Sequence, residues 1–167
     1  MDYRGYGLST GSPTEAGVYL DAEATVRHAA RSRAPDRPLV FWGRSLGAAI
    51  AASATRVVVP DGLVLESGFP HKAAVIRGQP VLRVLNIFGS YRFDTVEPLR
   101  DFTRPVLVIH GENDSIVPFA LGRELFGALS SPKQFVAVKG ADHNDFFDET
   151  RRDYWNPVIR FIEELKR

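Results

Sequence analysis

The sequence of 167 residues contains no cysteine, which excludes disulfides, thiolate metal sites and a cysteine nucleophile, while fixing no compartment. It has no charge bias either. Its 21 basic and 20 acidic residues leave a net charge of +1, so neither nucleic acid nor an anionic membrane surface is expected as a partner. No apolar run approaches the roughly 18 residues of a membrane span. Met1 is followed by "DYRGYGLSTG" and not by a basic and then apolar leader, so a cytoplasmic location is expected for the chain as written. The four histidines are scattered without HExxH-like spacing, and no metal is expected. The glycines of "DYRGYG" form no GxGxxG run between a strand and a helix, so no nucleotide cofactor is expected.

At 44% hydrophobic, the chain is long enough to bury one core, and residues 1–167 read as a single domain without repeats. Apolar, β-rich runs alternate with helical patterns, which predicts an α/β fold: a mostly parallel sheet flanked by helices on both faces. "RPLVFWG" (37–43), "DGLVLES" (61–67), "RPVLVIHG" (104–111) and "KQFVAVKG" (133–140) read as its strands. The first helix is expected to start on a capping box of Ser12 and Glu15 with Pro13 at its first position, placing Val18, Ala22, Val26 and Ala29 on one face. Further helices are expected over "SLGAAIAASATRV", over residues 118–130 and from about Glu149 to Lys166. The segment from Phe69 to Phe102 breaks the alternation with Gly78, Pro80, Gly89 and Pro98 and reads as an excursion off the sheet. Its apolar residues Val81, Leu82, Val84, Leu85, Ile87 and Phe88 fit either a lid over an acyl pocket or a helix packed on the sheet.

Against that map, "GRSLG" at residues 43–47 joins a buried strand to a helix, and Ser45 sits at the junction. Such a turn lifts a hydroxyl above the carboxyl ends of the strands, where open α/β sheets keep their sites. Gly43 and Gly47 are expected to allow close strand-to-helix packing around a strained serine. The Leu46 amide at the helix start is expected to face a developing oxyanion. The plain alternative is a helix N-cap, a task serine performs well. Downstream, Asp114 in "HGENDSIVP" and His143 in "GADHNDF" both follow strand ends, so the three side chains are expected on one edge of the sheet. Their order, Ser then Asp then His, is that of the α/β-hydrolase arrangement. In it His143 takes the Ser45 proton and Asp114 orients the imidazole. Glu66 at the end of "LVLES" stands as an alternative acid. Arg44, the variable residue of the elbow, reads as a solvated arginine, with holding the entrance as the alternative, and His110 reads as a support for its loop.

The segments "DYRGYGLSTG", "FWGRSLGAA", "LVLES", "PVLVIHGENDSIVP" and "GADHNDF" resemble the carboxyl-terminal two thirds of α/β-hydrolase-fold serine hydrolases, close to abhydrolase-domain proteins of esterase, lipase and serine-aminopeptidase type. The resemblance implies a partial α/β-hydrolase fold carrying family strands five to eight. It also implies a cofactor-free serine hydrolase acting on small acyl esters, thioesters or amides through an acyl-enzyme. Nothing here matches the family's upstream His-Gly segment, which donates a second oxyanion amide, and the family's earlier strands are unmatched as well. The edge of "PLVFWG" would then be bare, so either the sequence is expected to be an N-terminally truncated piece of a longer hydrolase or a partner is expected to cover that edge, with self-association through it. A catalytically impaired remnant that binds partners through this edge is the alternative reading.

Overall fold

Runs of valine, leucine and isoleucine buried on both sides form parallel strands best, because helical crossovers cover both faces of such a sheet. In the computed structural model, which describes residues 2–78, 91–145 and 150–166, four strands, the two central ones such runs, pair side by side. They are β1 (Val40–Arg44), β2 (Gly62–Glu66), β3 (Val106–Gly111) and β4 (Lys133–Val138), all parallel and in the order β1-β2-β3-β4. This is the α/β architecture the pattern predicts. Every residue of β2 and β3 is buried.

The helices are α1 (Glu15–Ser32), α2 (Leu46–Ala54), α3 (Lys72–Gly78), α4 (Phe119–Ala128) and α5 (Arg152–Glu164). Side chains alternate across the sheet and so build two cores. On one side Leu63, Leu65, Val106 and Val108 pack with Val18 and Val26 of α1, Ala48 and Ala52 of α2, and Leu125 of α4. On the other, Val64, Leu107 and Ile109 meet Tyr154, Val158 and Phe161, spaced along one face of α5. The alanines of α2 are what let that helix lie directly on β1 and β2.

Two expectations are corrected in detail. The first helix is capped by Thr14, whose Oγ1 accepts from the Gly17 amide at 3.1 Å, so Ser12 and Glu15 do not form a capping box. The Glu15 carboxylate instead accepts the distant Arg92 and Phe93 amides, both at 2.7 Å. In the segment from Phe69 to Phe102 the described elements are α3 and a 3₁₀ turn at Glu97–Leu99, with an antiparallel bridge between His71 and Asp94. Phe93, Leu99 and Phe102 return it to the larger core. The apolar residues from Val81 to Phe88 named above lie outside the described residues.

Among the described residues β1 has a strand neighbour on one side only, and its Trp42 is 41% exposed. No helix among them is long and apolar enough to cross a membrane.

Candidate active site

The carboxyl ends of the parallel strands share one edge, so the residues that follow β1, β3 and β4 are neighbours in space although far apart in sequence. Ser45 follows β1 directly. Its backbone adopts φ 53° and ψ −122°, outside the conformations L-residues favour, and its side chain makes no capping hydrogen bond. An N-cap serine has extended backbone and places its hydroxyl on an amide of the first turn; Ser45 does neither. Its amide donates to the Glu66 carbonyl at 2.8 Å, which pins the turn to the end of β2.

The two glycines of the turn differ in what they do. A Cβ at Gly43 would lie 2.1 Å from the Gly47 carbonyl oxygen, so only glycine lets α2 begin this close to β1. A Cβ at Gly47 would meet nothing nearer than the Tyr3 hydroxyl at 3.8 Å, so the expected packing role of Gly47 is corrected. Gly43→Ala is expected to destabilise the fold by about 1–3 kcal/mol, the range for an overpacked interior. Gly47→Ala is expected to change stability by less than about 1 kcal/mol, and urea denaturation of the two variants beside the parent gives the comparison.

Leu46 opens α2, and the first amides of a helix have no intrahelical acceptor. In front of Ser45 and Leu46 lies a cavity of about 760 Å³, whose wall includes Tyr3, Tyr6, Val18, Trp42, Tyr91 and Phe93. Its size and apolar, aromatic lining are those of a small-molecule site.

Asp114 and His143 are in direct contact. The His143 Nδ1 lies 2.8 and 3.0 Å from the two Asp114 carboxylate oxygens, and both side chains are buried. Asp114 is also an Asx-turn residue, because its Oδ1 accepts the Ile116 and Val117 amides at 3.0 and 2.7 Å. One carboxylate thus makes both the Asx turn and the contact with His143. Burial pulls the Asp114 carboxyl toward the neutral form, but hydrogen bonds from His110, His143 and the Val117 amide outweigh it and hold the group well below the usual carboxylate range. His110 is fully buried, with Nε2 2.8 Å from the Val117 carbonyl and 3.4 Å from Asp114, and it supports the loop as expected.

A depressed folded-state value means that this carboxylate stabilises the protein above its unfolded value of about 3.9 and that the contribution is lost as pH falls through and below it. Asp114→Asn is accordingly expected to flatten the fall in stability between about pH 5 and pH 3, read from urea midpoints across that range.

Glu66 does not reach the histidine, which removes it as the alternative acid. Its carboxylate, 1% exposed, accepts from Trp42 Nε1 at 3.1 Å and from the Tyr154 hydroxyl at 2.8 Å, and its other oxygen lies 3.1 Å from Arg44 Nε. Burial and then the Glu66 carboxylate push the Tyr154 phenol far above its ordinary value, keeping it a donor. Arg44 is likewise corrected: it is no solvated arginine but donates to the His143 carbonyl and, at 2.7 Å, to Asn144 Oδ1.

A further residue was not singled out by sequence reasoning. Asp142 accepts the Ser115 amide and hydroxyl at 2.7 and 2.8 Å and the His143 amide at 2.6 Å, joining the acid turn to the histidine turn. Its only sequence signal was a second carboxylate beside the histidine in "GADHNDF". Ser45 and His143 share no direct hydrogen bond. Among the described residues no group of three histidine or carboxylate side chains is placed to hold a metal ion.

No protein-family model matches the chain. An uncharacterized protein of Mycobacterium tuberculosis strain H37Rv, Rv2307c, is 36% identical over 166 residues, covering 98% of this chain and 59% of that protein. The lysophosphatidylserine lipase ABHD12 of Mus musculus is 31% identical over 157 residues, covering 83% of this chain and 39% of that protein. The chain thus spans about half the length of the curated relatives it matches. The crystal structure of the esterase RhEst1 from Rhodococcus sp. ECU1013 aligns with 98% of this chain and 79% of its own, with a TM-score of 0.70 and 19% identity. At that identity the likeness speaks for the fold.

Proposed function

This chain has the α/β-hydrolase fold, and from that premise we propose that it is a serine hydrolase cleaving carboxylic esters through an acyl-enzyme on Ser45. The observation that carries the reading is the Ser45 backbone, strained at φ 53° with the hydroxyl unused for capping, above the same sheet edge as the Asp114 and His143 pair.

In this reading the His143 Nε2 accepts the Ser45 hydroxyl proton as Oγ attacks the substrate carbonyl carbon, and the Asp114 carboxylate fixes the imidazole tautomer through Nδ1–H. The carbonyl oxygen gathers negative charge facing the Leu46 amide and the positive end of α2. Collapse of the tetrahedral intermediate breaks the carbonyl–alkoxy bond, and the leaving alcohol takes the proton from His143. A water molecule, deprotonated by the same histidine, then attacks the Ser45 ester; the acyl–Oγ bond breaks, His143 returns the proton to Ser45 Oγ, and the acid is released. The apolar cavity favours an acyl group over a charged one. Thioesters and amides are open to the same chemistry.

The names of the relatives, an esterase and a lysophosphatidylserine lipase, agree with ester chemistry. The test is hydrolysis of a short-chain nitrophenyl ester together with covalent labelling by a fluorophosphonate, which reacts only with an activated serine. Turnover and stoichiometric labelling support the reading, and their joint absence at neutral pH overturns it. A second reading, a binding or assembly subunit, rests on the single-sided β1 edge, since an unpaired strand is a template for another strand. It predicts association on sedimentation without labelling.

A further inference from the structure

Arg44 and Glu66 lie outside the three residues that carry the proposed chemistry, yet they link its two sides. Glu66 is buried beneath the sheet edge and anchored through Trp42 and Tyr154. From there it holds the elbow twice: its carbonyl accepts the Ser45 amide at 2.8 Å, and its carboxylate forms an ion pair with Arg44, Oε1 lying 3.1 Å from Nε without hydrogen-bond geometry. The far end of the same guanidinium donates to the backbone carbonyl of His143 and to the Asn144 side chain. A buried carboxylate needs a charged or hydrogen-bonding partner, but neutralisation alone would not require a fork reaching a turn 99 residues away. The guanidinium suits this span because its donors point in fixed directions in one plane, whereas a lysine ammonium is a single point charge.

We propose that Arg44 is a positioning residue that clamps the His143 turn to the nucleophile elbow, with Glu66 as its fixed anchor. The histidine backbone is the group held, so its ring is brought into register with Ser45 from one side while Asp114 orients it from the other. The proposal rests on the serine-hydrolase reading for its consequence in rate, but the clamp itself is a statement about the turn.

Two measurements on the full chain test it, applied to the parent, Arg44→Ala and Arg44→Lys. The first is amide hydrogen exchange over residues 141–145. The second is the rate of fluorophosphonate labelling. Loss of the clamp is expected to speed exchange in that turn about tenfold in both variants, the scale of one charge-assisted hydrogen bond, while β3 exchanges as in the parent. Labelling is expected to slow by about 10- to 100-fold in both, as for a small misplacement of reacting groups. The lysine variant separates spanning from neutralisation, since it keeps the charge beside Glu66 and loses the fork. If Arg44→Lys matches the parent in exchange and labelling, neutralisation of Glu66 is the whole role and the clamp is overturned. Parent-like exchange of the turn in Arg44→Ala overturns it equally. If the parent neither labels nor turns over the nitrophenyl ester, the serine-hydrolase reading fails, and the exchange measurement still decides the clamp.

Discussion

Ser45→Ala is expected to reduce fluorophosphonate labelling to background and ester turnover by about 10⁶, the loss seen when the nucleophile of such a triad is removed. Its thermal midpoint is expected to stay within about 2 °C of the parent, since the hydroxyl caps no amide. The strained backbone of the turn comes from its neighbours: the Ser45 amide is held by the Glu66 carbonyl, and Gly43 lets α2 start against β1. Alanine inherits that geometry. Equal labelling of variant and parent, followed by peptide mapping of the adduct, would move the nucleophile elsewhere.

The second large effect concerns the acid. Asp114→Asn is expected to lower turnover by about 10⁴, because an amide at this position stabilises the wrong imidazole tautomer and cannot balance the imidazolium charge. Glu66→Gln is expected to cost far less, by about 10- to 100-fold, since Glu66 acts on the histidine only through Arg44. The two variants assayed side by side on one nitrophenyl ester give the ordering. A larger loss for Glu66→Gln would return the acid role to that residue.

Much of this site was legible in the sequence because its signals are local. A strand, a glycine, a serine and a helix follow one another in residues 40–54, and their order alone describes a tight strand-to-helix turn. Asp114 and His143 were legible for the same reason, each lying in the first turn after a strand. What escaped was set by contacts distant in sequence. Glu15 looked like half of a capping box but finds its partners at Arg92 and Phe93, which frees Thr14 to cap α1. Arg44 looked solvated because its acceptors at His143 and Asn144 come together with it only once β1 to β4 are laid side by side. Glu66 at a strand end had the right chemistry for a triad acid, and only the positions of Trp42 and Tyr154 show that its carboxylate is already engaged.

The bridge from Ser115 to Asp142 is one stitch in a longer seam. Besides that bridge, the Asn113 amide donates to the Ala141 carbonyl at 3.0 Å and the Glu112 amide to the Val138 carbonyl at 3.1 Å, so the loops after β3 and β4 are laced along their length. A Cβ at Gly111 would come within 2.4 Å of the Ala141 oxygen, which leaves no slack between them. Asp114 and His143 therefore sit on one laced pair of loops, and that pair meets the Ser45 turn through the Arg44 guanidinium.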